Sequence, residues 1–169
     1  MFFIKLFILF LIFMGSLQAG KIIAKKYSNR VVELKDMKNG LNMFLTKIKF
    51  TYESVPESFS EIGNNINGSV GKIFRTASNN MKEKQAGEAW EETVEKIESS
   101  FTNEDKVIIK NLGRMLGKTD LEGQVSEIKL VQDFLNTQIE NAEIEKQKNE
   151  KLFKTLGGVV GLAIVIILV

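Results

Sequence analysis

Residues 2–19 read F-F-I-K-L-F-I-L-F-L-I-F-M-G-S-L-Q-A and residues 156–169 read L-G-G-V-V-G-L-A-I-V-I-I-L-V. Nearly every charge in the 169-residue chain lies between these two runs. The first holds five of the twelve Phe and a single charge, Lys5. As a helix its 18 residues reach roughly 27 Å, enough to cross a hydrocarbon layer. The second run has 14 uncharged residues and reaches only about 21 Å, so it needs a further turn. Leu152 and Phe153 supply that turn if Lys154 snorkels toward the headgroups. The pattern predicts a transmembrane helix at 1–19, a second at 152–169, and a separate helical domain at 20–151.

Charge flanking the runs predicts their orientation. Lys21, Lys25, Lys26, Arg30, Lys35 and Lys38 follow the first, against Lys5 and the amino terminus before it. Lys146, Lys148, Lys151 and Lys154 precede the second, with no charge after it. By the positive-inside rule both ends keep the middle in the cytoplasm. The competing reading is a secreted or surface helical protein with a cleaved signal peptide and a C-terminal anchor. Ala19 suits a cleavage site, but Leu17 stands where a small residue is wanted.

Between the runs, residues 20–155 carry 22 Lys and Arg against 21 Asp and Glu, a net of +1. That balance offers no basic excess for nucleic acid. The chain has no Cys and no His. It therefore lacks a disulfide framework, the usual zinc and haem ligands, and the commonest acid–base residue near neutral pH. Composition leans away from an enzyme, and no cofactor and no small-molecule substrate are expected.

The middle has helical rather than alternating periodicity. Leu34, Met37, Leu41, Phe44, Leu45 and Ile48 share one face, and no breaker separates them from the first apolar run. Pro56, the only proline, suits the first turn of a new helix. Phe59, Ile62 and Ile66 form its face, and the Gly- and Asn-rich stretch from Gly63 to Gly71 predicts a turn. Val70, Ile73, Phe74, Ala77 and Met81 resume the period, followed by a stripe of Ala86, Ala89, Trp90, Val94 and Ile97. Thr102–Asp105 has capping-box spacing, and its helix is expected to run through Val107, Ile108, Leu112, Met115 and Leu116 to a stop at Gly117. Thr119–Glu122 repeats the capping signature. Leu121, Val125, Ile128, Leu135, Ile139 and Ala142 then hold a face, interrupted by Gln132, without a breaker before Gly157. No segment reads as a strand, so the expected fold is all-α, an antiparallel helical bundle between two transmembrane helices.

Motifs that invite chemistry are weak. Gly113–Thr119 has three residues between its glycines where a phosphate loop needs four, and it follows a helix rather than a strand. Asn67-Gly68-Ser69 is a formal glycosylation sequon without meaning in a cytoplasmic segment. The carboxylates Glu91, Glu92, Glu95 and Glu98 match a solvated helix face, and Glu150–Lys154 has the favourable i,i+4 order. Trp90 reads as a core residue or a partner-facing anchor. Gly157 and Gly161 have the close-packing spacing of membrane helices, which suits contact with the first span.

The motifs resemble, from end to end, the stage III sporulation protein AB family of endospore-forming bacteria. The resemblance runs through Lys25-Lys26-Tyr27-Ser28-Asn29-Arg30, Pro56-Glu57-Ser58-Phe59, Gly71-Lys72-Ile73-Phe74 and Gly87-Glu88-Ala89-Trp90. It continues through Leu112-Gly113-Arg114-Met115-Leu116-Gly117-Lys118-Thr119-Asp120, Gln124 and Lys154-Thr155-Leu156-Gly157-Gly158-Val159. That family is similar to the platform protein of type II secretion and type IV pilus systems. The resemblance implies a non-catalytic scaffold in the mother-cell membrane around the forespore. It would assemble with the other stage III A proteins and stage II protein Q, its cytoplasmic part docking the ATPase-like AA protein. Secretion platform proteins usually carry two bundle domains and more spans, so homo-oligomerisation would replace the missing repeat. Trp90, Leu112, Gly113, Leu116, Gly117, Asp120 and Gln124 are the expected packing or partner positions, and Gly157 and Gly161 the expected membrane-helix contacts.

Overall fold

The computed structural model describes residues 2–51, 53–116 and 120–168. Among them every regular element is helical. The order is α1 (Phe2–Phe50), α2 (Val55–Asn65), α3 (Gly68–Asn80), α4 (Ala86–Lys96), α5 (Asn103–Asn111), a 3-10 turn (Leu112–Arg114) and α6 (Leu121–Leu168). The expectation of an all-α antiparallel bundle with a long apolar helix at each end holds. Two units form. One contains residues up to Val31 and from Asn141 onward; the other is Val32–Glu140. α1 and α6 contribute to both.

In the 32–140 unit the α1 stripe is buried as its spacing requires: Leu34, Met37, Leu41 and Phe44 have no exposed surface. Phe44, Phe59, Phe74 and Trp90 build a chain of edge-to-face and tilted rings, with centroids 4.9–5.3 Å apart. Each such side chain contributes roughly 1.5–3 kcal/mol by leaving water, and the ring geometry adds to that. Gln132, the polar interruption on α6, donates to the Asn42 side chain at 2.8 Å, so its burial is compensated.

Local chemistry sets the helix starts. Ser54 and Glu57 form a reciprocal capping box for α2, with Pro56 in the first turn. Thr102 and Asp105 do the same for α5, where the shorter Asp still reaches the Thr102 N–H at 2.8 Å. Three expectations need correction. The Gly63–Gly71 turn shrinks to Ile66 and Asn67, because α2 runs to Asn65 and α3 begins at Gly68, whose φ of +72° only glycine adopts cheaply. A Cβ at Gly71 would stand 1.7 Å from the Ile66 carbonyl oxygen, so these glycines serve close helix approach as much as turning. Second, α5 stops at Asn111 and the chain tightens into the 3-10 turn, although the apolar period continues to Leu116. Third, Leu121 is 41% exposed rather than part of the buried face, since it opens α6.

Candidate packing and partner sites

Trp90 sits inside the bundle with no exposed surface. Its indole N–H donates to the Ile109 carbonyl at 2.8 Å, tying α4 to α5. Its ring lies 5.2 Å from Phe59 and 5.3 Å from Phe74. Trp90 therefore acts as core and offers no atom to a partner directly.

The segment from the 3-10 turn to Leu116 packs on the same helix. Leu112 and Leu116 are buried, and so is Gly113. A Cβ at Gly87 would lie 2.1 Å from the Gly113 carbonyl oxygen, so backbone meets backbone where α4 begins. Trp90, Leu112 and Gly113 thus belong to one α4–α5 junction. Gly87 is the backbone partner of Gly113 there, a role that sequence spacing does not reveal because the two lie on different elements. Gly117 lies outside the described residues. Asp120 is exposed and works locally: its carboxylate accepts the Gly123 N–H at 2.9 Å and caps α6. The capping expected of Thr119 falls on an undescribed residue. Gln124 is half-buried in the first turn of α6. Beside the junction a shallow cleft of about 230 Å³ is lined by Glu91, Val107, Lys110, Asn111 and Arg114.

Four carboxylates of this unit, Glu53, Glu61, Glu92 and Glu95, are engaged in ion pairs. Hydrogen bonds from Lys84 and Lys96 hold Glu92 down to about 2. Glu95 lies below its ordinary value, chiefly through its 2.9 Å bond from Lys110, helped by Lys106. Lys47 is raised by Glu61 and Glu53. Glu33 on α1 accepts the backbone N–H of Ser100 and fixes the α4–α5 connection, a contact spanning 67 residues. Among the described residues no three His, Cys, Asp or Glu gather into a metal-binding group.

The other unit pairs the apolar ends of α1 and α6. A Cβ at Gly20 would stand 2.6 Å from the Phe153 carbonyl oxygen. One at Gly157 would be 2.9 Å from the Ser16 carbonyl oxygen, and one at Gly161 2.9 Å from the Phe13 ring. The Ser16 hydroxyl donates to the Gly157 carbonyl at 2.7 Å. Small residues thus let two backbones touch, and a hydroxyl bonds across the seam. Gly157 and Gly161 both lie in this contact; Gly20 and Ser16 complete it. Tyr27 stacks on Phe153 at 5.9 Å, and buried Arg30 donates to Glu145 at 2.7 Å. The outward faces are bare: Phe7, Phe10, Val159, Leu162 and Ile167 are all exposed. Both helices are long and apolar enough to cross a membrane, and only 11% of each apolar window is buried. A core helix of a water-soluble protein would be mostly covered.

Comparison with known proteins places this arrangement. The model of the family described as stage III sporulation protein AB matches residues 5–169. Stage III sporulation protein AB of Bacillus subtilis (strain 168) is 26% identical over 153 residues, which is 88% of this chain and 90% of that relative. A solved structure of a stage III sporulation protein AB superimposes with a TM-score of 0.66 at 20% identity, covering 71% of this chain and 98% of that one. At that identity the superposition speaks for a shared fold, whereas the family match extends over nearly the whole sequence. The chain belongs to the stage III sporulation protein AB family, whose members are sporulation proteins.

Proposed function

We propose that this chain is a non-enzymatic membrane platform in the secretion-like complex joining mother cell and forespore. In this reading residues 1–19 and 152–169 lie in the mother-cell membrane around the forespore. Residues 20–151 face the cytoplasm and dock the AA ATPase, in company with the other stage III A proteins. One observation carries it. The two apolar chain-end helices are bare outside and closely seamed inside through Ser16, Gly20 and Gly157. That suits a pair of helices solvated by lipid and held together by backbone contact. It also favours an uncleaved N-terminal anchor, because removing residues 1–19 would discard the Ser16 half of the seam. The filled aromatic core at Trp90 suits a part that transmits force or position rather than one that binds a substrate.

The test is made in sporulating cells. The tagged full chain should co-purify the AA ATPase from detergent-solubilised membranes, and a reporter fused after Lys82 should be active only as a cytoplasmic fusion. Val107→Asp, on the exposed rim of the α4–α5 cleft, should reduce ATPase capture while leaving the chain folded. A chain whose N-terminal sequencing begins after Ala19, with the reporter active outside the cytoplasm, would establish the surface-protein reading instead.

A further inference from the structure

Charge is partitioned sharply between the two units. The 32–140 unit has 14 Lys and Arg against 18 Asp and Glu, a net of −4. The other unit has a net of +6, all but Lys5 of its basic residues falling in 21–30 and 146–154. These two segments run side by side. The Gly20–Gly157 contact, the Tyr27–Phe153 stack and the Arg30–Glu145 pair set their register. Lys21, Lys25, Lys26, Lys148 and Lys151 are exposed around this level. Two nearby acids are paired with other basic residues, Glu145 with Arg30 and Glu150 with Lys154 at 2.6 Å. Immediately beyond the lysines both helices turn apolar, with Val159, Leu162 and Phe10 bare.

We propose that this lysine belt is a docking surface for anionic phospholipid headgroups. The proposal rests on the membrane reading above and adds a lipid preference to it. Two features select a membrane surface over a free anion. The charge is spread around both helices rather than gathered in a cleft, so it meets many phosphates at once. The belt also adjoins bare apolar faces, so a lipid that places its phosphate on a lysine lays its chains on Leu or Phe. Lysine stems reach along the helix toward the headgroup level, and Tyr27 stacked on Phe153 supplies the aromatic layer usual at that depth. The basic segments gain attraction from a negatively charged leaflet, and added salt weakens it.

The experiment uses the full chain, purified in a non-ionic detergent and offered phosphatidylglycerol and phosphatidylcholine in equal amounts. Retained lipids are counted by native mass spectrometry. The wild type should keep phosphatidylglycerol in roughly tenfold excess. Joint Lys25→Gln, Lys26→Gln, Lys148→Gln and Lys151→Gln should bring retention near parity, whereas Lys→Arg at the same positions should preserve the preference. Equal retention by the wild type overturns the proposal. So does loss of the preference in the Arg variant, since charge would then not be its source. Release of the lipid by excess inorganic phosphate also overturns it, by assigning the belt to phosphate in general. Carbonate extraction of vesicles separates the two levels. A chain that stays in the membrane without lipid preference refutes the belt alone. A chain that washes off refutes the spanning reading and the belt with it.

Discussion

Replacing Trp90 by Ala should cut deepest into the 32–140 bundle. The side chain is wholly enclosed, touches Phe59 and Phe74, and holds the Ile109 carbonyl through its indole N–H. Truncating a buried Trp to Ala costs about 3–5 kcal/mol through lost transfer energy and the cavity left behind. The Ile109 carbonyl, buried and deprived of its donor, adds about 1 kcal/mol or more. A loss near 5 kcal/mol is a large share of the roughly 5–15 kcal/mol that holds a domain together. At about 1.4 kcal/mol per decade, the slowest-exchanging amides of α3 and α4 should exchange some thousandfold faster or more. Hydrogen exchange followed by mass spectrometry on the full chain in detergent measures this directly. Trp90→Phe keeps a ring against Phe59 and Phe74 but loses the donor, so it should accelerate exchange by only about ten- to a hundredfold. Acceleration of less than tenfold in Trp90→Ala would refute the assignment of Trp90 as the packing centre.

Three further outcomes follow from the geometry. Gly157→Ala drives a methyl to 2.9 Å from the Ser16 carbonyl oxygen and should lower stability by about 1–3 kcal/mol. Gly158→Ala, whose methyl would meet only Leu17 at 3.8 Å, should be neutral; thermal unfolding by circular dichroism compares the two. Because Glu92 is held at about 2, below its ordinary 4.5, its pairs with Lys84 and Lys96 stabilise the fold above about pH 4.5 and are lost as pH falls toward 2. The denaturation midpoint should therefore fall less between pH 5 and pH 2.5 in Glu92→Gln than in the wild type. Asp120→Ala removes the cap at the start of α6 and should cost about 1 kcal/mol, seen as faster exchange confined to its first turn, while Asp120→Asn changes little.

What could be read from the sequence was local or periodic. The Ser54–Glu57 and Thr102–Asp105 boxes are legible because their partners are three residues apart. The lengths of α1 and α6 are legible because nothing in them breaks a helix. The 3-10 turn at Leu112–Arg114 was hidden because apolar spacing carries through it; the chain tightens there against α4, where Gly87 and Gly113 touch. Close glycine contacts need a partner that spacing alone cannot supply, so Gly157 was visible as part of a pattern and Gly20 was not. Glu33, which fixes the Ser100 N–H, looks like any surface acid until the fold brings the loop to it. Trp90 stood out as a core or partner residue, and its surroundings decide for core.

The pairing of α1 with α6 also bears on how the chain reaches its fold. Asn42 meets Gln132 across 90 residues, Arg30 meets Glu145 across 115, and Ser16 meets Gly157 across 141. Each helix can form early from its own sequence, yet the first cannot find its partner until nearly everything between them has been made. Loop closure grows only slowly with length, so closing 141 residues costs little more than closing 90. The delay is one of order rather than of energy. Until α6 emerges during synthesis, Asn42 lacks its Gln132 partner and the Ser16–Gly157 seam stays open. Assembly should therefore proceed as a late closing step, slower than the low contact order of most helical bundles would suggest.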